Sequence, residues 1–155
     1  MPHLTQHFKQ MQDFLQARVA RLVCDGGMDL DVMREEGIAC LELFGAQKTI
    51  GFEHLGEVER AYLEPSSKIG SFKQPASHVR TGLPLLPERV EGPLRPHRSV
   101  KIVLSGGSYA CRGCDRPVDF VFGRTFPPCP VCHREMRARA VINVHETLCS
   151  AMRPQ

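Results

Sequence analysis

Two Cys-x-x-Cys pairs, Cys111-Arg112-Gly113-Cys114 and Cys129-Pro130-Val131-Cys132, stand 14 residues apart in a chain of 155. No other feature constrains the fold as tightly. Each knuckle sets two sulfurs on one side of a tight turn, so two knuckles offer four thiolates to one metal ion. Zinc takes four such ligands in a tetrahedron at about 2.3 Å. Cys111, Cys114, Cys129 and Cys132 would fill that shell and leave no open position. The expected cofactor is one structural Zn2+, not a catalytic one. Iron held rubredoxin-fashion by the same four thiolates is the chemical alternative.

The chain has seven cysteines, and Cys24, Cys40 and Cys149 fall in no metal spacing. Buried small thiols are the default reading for Cys24 and Cys40, with a redox pair as the alternative. Cys149 lies four residues after His145, a spacing that shares a helix face but lacks two further ligands for a second site. Thiols kept free for metal imply a reducing, cytoplasmic setting. The first residues show no basic region followed by an apolar one, so no secretory signal is expected. No apolar run approaches the roughly 18 residues that would read as a membrane span.

Charge divides the chain. Residues 1–64 carry 6 Lys/Arg against 11 Asp/Glu, residues 65–110 carry 7 against 2, and residues 111–155 carry 7 against 4. Apolar periodicity in the acidic part predicts three amphipathic helices, at 5–24, 29–44 and 49–64. Leu4, Phe8, Met11, Leu15, Val19 and Leu22 make the first stripe, with Asp25-Gly26-Gly27 as its stop. Asp29 or Asp31 caps the second helix, although Gly37 inside it costs about 1 kcal/mol against Ala. Phe52, Leu55, Val58 and Tyr62 make the third stripe, ended by Pro65.

Residues 65–98 are rich in proline and read as an extended basic linker. Its apolar run Leu83-Pro84-Leu85-Leu86-Pro87 fits either a strap on the protein's own surface or a partner-binding segment. Past it, 100–104, 118–122 and 136–144 read as strands around the knuckles, with Arg137 and Arg139 on the solvent face of the last one. The expected fold class is α+β: an acidic helical bundle at 1–64, a linker at 65–99 and an antiparallel zinc ribbon at 100–155.

Arg112, Arg116, Arg124, Arg134, Arg137 and Arg139 surround the knuckles. The guanidinium fork suits phosphate or carboxylate, so these six are the candidate partner-binding residues. Tyr109 and Phe126 are the rings placed to stack on bases. No acid–base pair, nucleophile–His set or phosphate-binding glycine loop is present, and His97, His133 and His145 have no carboxylate at motif spacing. A binding protein, not an enzyme, is expected. It would be an adaptor or regulator that engages a protein or a nucleic acid and pairs with a second copy through its helices. A thiol-based redox sensor is the alternative.

The knuckle residues, the 14-residue gap and Pro127-Pro128-Cys129-Pro130-Val131-Cys132 resemble those of small bacterial zinc-ribbon proteins that join an N-terminal helical region to a C-terminal four-cysteine ribbon. The resemblance implies zinc binding in a bacterial cytoplasm and no particular activity. It departs at Asp115, where ribbons often carry glycine after the first knuckle, and in the proline-rich middle.

Overall fold

The computed structural model describes residues 19–85 and 102–142. They form two antiparallel sheets and two short helices. Strand β1 (Ala20–Cys24) turns into β2 (Gly27–Met28), followed by helices α1 (Leu30–Glu35) and α2 (Cys40–Ile50). Strands β3 (Val58–Leu63) and β4 (Ile69–Lys73) complete a first sheet of order β2-β1-β3-β4. Strands β5 (Gly107–Cys111), β6 (Pro117–Phe120) and β7 (Arg137–Arg139) make a second sheet of order β6-β5-β7.

The helical bundle expected of residues 1–64 is therefore corrected: the described part of that range holds two short helices beside three strands of an antiparallel sheet, and the described chain as a whole is mainly β. Residues 5–18 of the first expected helix lie outside the described residues. Its end, residues 20–24, is β1. Asp25 and Gly26 sit at φ 47° and 72°. Two consecutive left-handed residues make the tight turn whose twist matches paired strands, so Asp-Gly reverses a hairpin here instead of stopping a helix.

The second expected helix breaks in two. Asp29 does cap α1, accepting from the Val32 amide at 3.2 Å. Gly37, at φ 70°, then ends it, and α2 starts afresh at Cys40. Of the third expected helix, residues 49–50 are the end of α2 and Leu55–Glu57 is a 3-10 turn, while Val58–Leu63 is a central strand.

Residues 65–85 are not a free linker. Ile69–Lys73 pairs with β3. Leu83 and Leu85 are buried in the core, 4% and 1% exposed. The Leu55 amide donates to Leu83 O at 3.0 Å, and the Leu85 amide donates to Glu53 O at 2.9 Å. Burying two leucines contributes about 1.5–3 kcal/mol each, enough to hold a strap. Of the two fits open to the Leu83 run, the described leucines follow the strap on the chain's own surface. Its approach is close: a Cβ on Gly56 would stand 1.8 Å from Arg80 O.

One core joins the two sheets. Leu22, Val23, Met33, Leu43, Leu55, Val58 and Ala61 pack with the strap leucines and with Ala110 and Ala138 of the second sheet. The bridge between Gly82 and Val141, with both amide–carbonyl bonds at 2.9–3.0 Å, ties the strap to the chain after β7. Among the expected ribbon strands, 118–122 and 136–144 are found shorter, as β6 and β7. The expected strand at 100–104 is, over its described residues, the single bridge Ile102–Thr125, reinforced by Val103 N–H to Arg124 O at 2.7 Å.

Candidate metal centre

The two knuckles are built alike. In the first, the Cys111 amide donates to Arg116 O at 3.0 Å and the Asp115 amide donates back to Cys111 O at 2.9 Å. In the second, the Cys129 amide donates to Arg134 O at 2.9 Å and the His133 amide to Cys129 O at 2.8 Å. The residue after each second cysteine is left-handed, Asp115 at φ 63° and His133 at φ 58°. Aspartate tolerates that conformation better than most side chains. The first turn is thus as sharp as the second, although Asp115 stands where ribbons often carry glycine.

The folded knuckles bring Cys111, Cys114, Cys129 and Cys132 together, with their sulfurs all within 4.8 Å of one another. Cys111 Sγ lies 3.3 Å from Cys132 Sγ, and Cys114 Sγ lies 3.6 Å from Cys129 Sγ. These separations are far longer than the roughly 2.05 Å of a disulfide. Both lie a little below the edge of about 3.8 Å that a tetrahedron of sulfurs has around an ion at about 2.3 Å, and no pair is more than 4.8 Å apart. The donor set and its spacing fit one tetrahedral thiophilic ion. The Cys114 thiol donates to Cys111 and the Gly113 amide adds a 3.3 Å bond, so the Cys111 thiol falls to about 4. Cys114 is pushed up in return.

The centre is bonded to the core at two points. The Met28 amide donates to Cys114 O at 3.1 Å, joining β2 to the first knuckle. Asp115 is fully buried and accepts the Leu83 amide at 2.6 Å through Oδ1 and Arg80 Nη2 at 3.1 Å through Oδ2. Burial pushes its carboxyl up to about 7, against the pull of Arg80 and of the Leu83 amide. Sequence reasoning missed Arg80, Leu83 and Asp115 as a unit. The departure from glycine at Asp115 was the one available signal.

The six arginines are dispersed. Arg116, Arg124 and Arg134 are exposed, and Arg112 and Arg139 are half-buried. Arg139 Nη1 donates to Ser105 Oγ at 2.8 Å. Arg137 does not face solvent as expected: it is 1% exposed. Its Nη2 donates to Pro127 O at 3.1 Å and its guanidinium lies 5.8 Å from the Phe120 ring centre, while Nε and Nη1 have no hydrogen-bond partner. Arg137 is also the cross-strand partner of Cys111. The rings expected to stack on bases are already used. Tyr109 is buried, and Tyr109, Phe120 and Phe126 pack edge to face at 4.9–6.1 Å.

His133 is exposed beside the centre, Cys40 is half-buried, and Cys24 is exposed rather than buried. His97, His145 and Cys149 lie outside the described residues. Among the described residues, no helix is long and apolar enough to cross a membrane. No protein-family model matches this chain, and comparison with curated proteins and with solved structures found no match.

Proposed function

We propose that the chain is a zinc-dependent adaptor or regulatory protein, in which a structural Zn(Cys)4 centre fixes a small β scaffold for a macromolecular partner. The observation that carries this reading is the closed set of four converging sulfurs. Three of the four cysteines are buried, and the matched knuckle bonds leave each sulfur aimed at one point. Zinc suits that set better than a hard cation does, because thiolates are soft ligands. The proposed role of the ion is to hold the knuckles together and, through Asp115, to hold the strap. The knuckle motif also supports the likeness to bacterial zinc-ribbon proteins and the cytoplasmic setting that goes with it.

A protein partner is favoured over nucleic acid. The ribbon rings that would stack on bases are packed against each other. At the same end of the ribbon Phe122 is 73% exposed and Val121 68%, next to the exposed Arg124. Aromatic and arginine side chains together are the usual anchors of protein interfaces. The test is a salt titration of binding to mixed-sequence DNA and RNA. The reading expects no binding of either at physiological salt. Tight binding that weakens steeply with salt is the signature of phosphate contacts and would move the partner class to nucleic acid.

A further inference from the structure

The four sulfur ligands are not equally covered. Cys111, Cys114 and Cys129 are buried, whereas Cys132 is half-exposed. Cys132 opens on a cleft of about 870 Å3 between the second knuckle and the β1–β2 hairpin. Val131, which lines the same cleft, is itself 56% exposed. One side chain does stand near the sulfur. A Cβ built on Gly113 would lie 2.8 Å from Cys132 Sγ and 3.3 Å from Arg134 Nε, so these two atoms are at most about 6 Å apart. Gly113 is the residue that lets both come so close. The Arg134 guanidinium makes no ion pair or hydrogen bond among the described residues, so its charge is not neutralised by a neighbour within that distance of Cys132 Sγ.

We infer that Cys132 is the reactive corner of the metal centre, the thiolate that electrophiles and metal acceptors meet first from the cleft, with Arg134 restraining it. This rests on the zinc reading above. A metal-bound thiolate is still a nucleophile when a reagent can reach it, and access decides among four chemically equal sulfurs. With an alkyl iodide amide such as iodoacetamide, the Cys132 sulfur attacks the methylene carbon and forms a C–S bond as the C–I bond breaks and iodide leaves. The resulting thioether is neutral, so the ion is left with three thiolates and a weak fourth donor. The nearby guanidinium opposes this step, because it stabilises the anionic sulfur that the reaction consumes.

The test is labelling of the full-length, zinc-loaded chain with limiting iodoacetamide, followed in time by peptide mapping and by native mass spectrometry. Exposed Cys24 serves as the internal reference. Cys132 is expected to label first among the four ligands, and zinc to leave in step with it. Arg134→Ala should speed Cys132 labelling by about two- to fivefold, the range that loss of one exposed charge contact allows. Labelling of Cys24 should be unchanged, and Arg134→Lys should recover most of the wild-type rate. Labelling of Cys111, Cys114 or Cys129 as early as Cys132, or an Arg134→Ala rate equal to wild type, overturns the inference. A chain that carries no metal in the spectrum taken before labelling overturns the zinc reading itself, so the two failures are told apart.

Discussion

Asp115 Oδ1 accepts a hydrogen bond of 2.6 Å from the Leu83 amide, across 32 residues of sequence. Asp115 follows directly on Cys114, and Leu83 sits in the shared core. The bond therefore links the first knuckle to the strap that closes the first sheet. Arg80 reinforces it from the partly exposed side.

Replacing Asp115 separates the parts of this link. Asp115→Ala leaves the buried Leu83 amide unpaired, which costs about 1–3 kcal/mol. A β-carbon without a polar end at φ 63° adds about 1 kcal/mol. Asp115→Asn keeps an acceptor and tolerates the left-handed backbone, so it should lose about 1 kcal/mol or less, through the Arg80 pair. Denaturant unfolding of both variants checks the order, and hydrogen exchange at Leu83 checks the cause. Equal losses in the two variants would mean that the Leu83 bond contributes little.

Gly56 is where strap and core touch. Gly56→Ala would place a methyl 1.8 Å from Arg80 O, a backbone atom, so the strap has to move. Overpacking of this kind costs about 1–3 kcal/mol. Gly45→Ala, in α2 with nothing near its Cβ position, should instead be neutral or slightly stabilising. Thermal unfolding of the pair gives opposite signs if the strap is seated as described.

His54 makes stability depend on pH. It is buried, and its Nε2 donates to Ile142 O at 3.0 Å. Burial lowers its pKa below the ordinary 6.5, while the Glu57 charge works the other way. A histidine whose folded pKa is lowered stays neutral in the fold, and the unfolded chain takes up the proton first. Its contribution is fully present above pH 6.5 and is lost as pH falls below that value. The slope is at most about 1.4 kcal/mol per pH unit. His54→Leu should flatten that acid limb relative to wild type at equal metal content, although it is less stable throughout for want of a donor to Ile142 O.

The four-cysteine cluster was legible because its chemistry is local. A knuckle needs two cysteines at fixed spacing, and β6 overlaps, and β7 lies inside, the alternating stretches read around Val118 and Ala138. The first sheet was not legible because its strands carry irregularities that imitate a helix. In β3 the pairing with β4 shifts between Val58 and Arg60, so Val58 and Ala61, three residues apart, are both fully buried. In β1 a shift between Arg21 and Val23 buries the neighbours Leu22 and Val23 together. A period near three is what remains of a strand once a bulge has turned it, and that period reads as helical. Arg137 misled for a different reason. Its guanidinium is taken up by the Phe120 ring and Pro127 O, which come from elsewhere in the chain.

Removing an ion held by the four cysteines should reach past the second sheet. Met28 and Leu83 both bond to the first knuckle, and Ala110 and Ala138 belong to the shared core. A strong chelator should therefore raise amide exchange at Leu83 and Met28 along with residues 107–120. If exchange rises only within the knuckles, the ion does not hold the strap.

The most direct measurement is native mass spectrometry with elemental analysis of the full chain, purified under reducing conditions, beside Cys111→Ser and Cys132→Ser. The account predicts one zinc per wild-type chain and a large loss in both variants. Iron in place of zinc would contradict the structural-zinc claim and favour a redox protein. No metal in the wild-type chain would contradict the metal centre altogether.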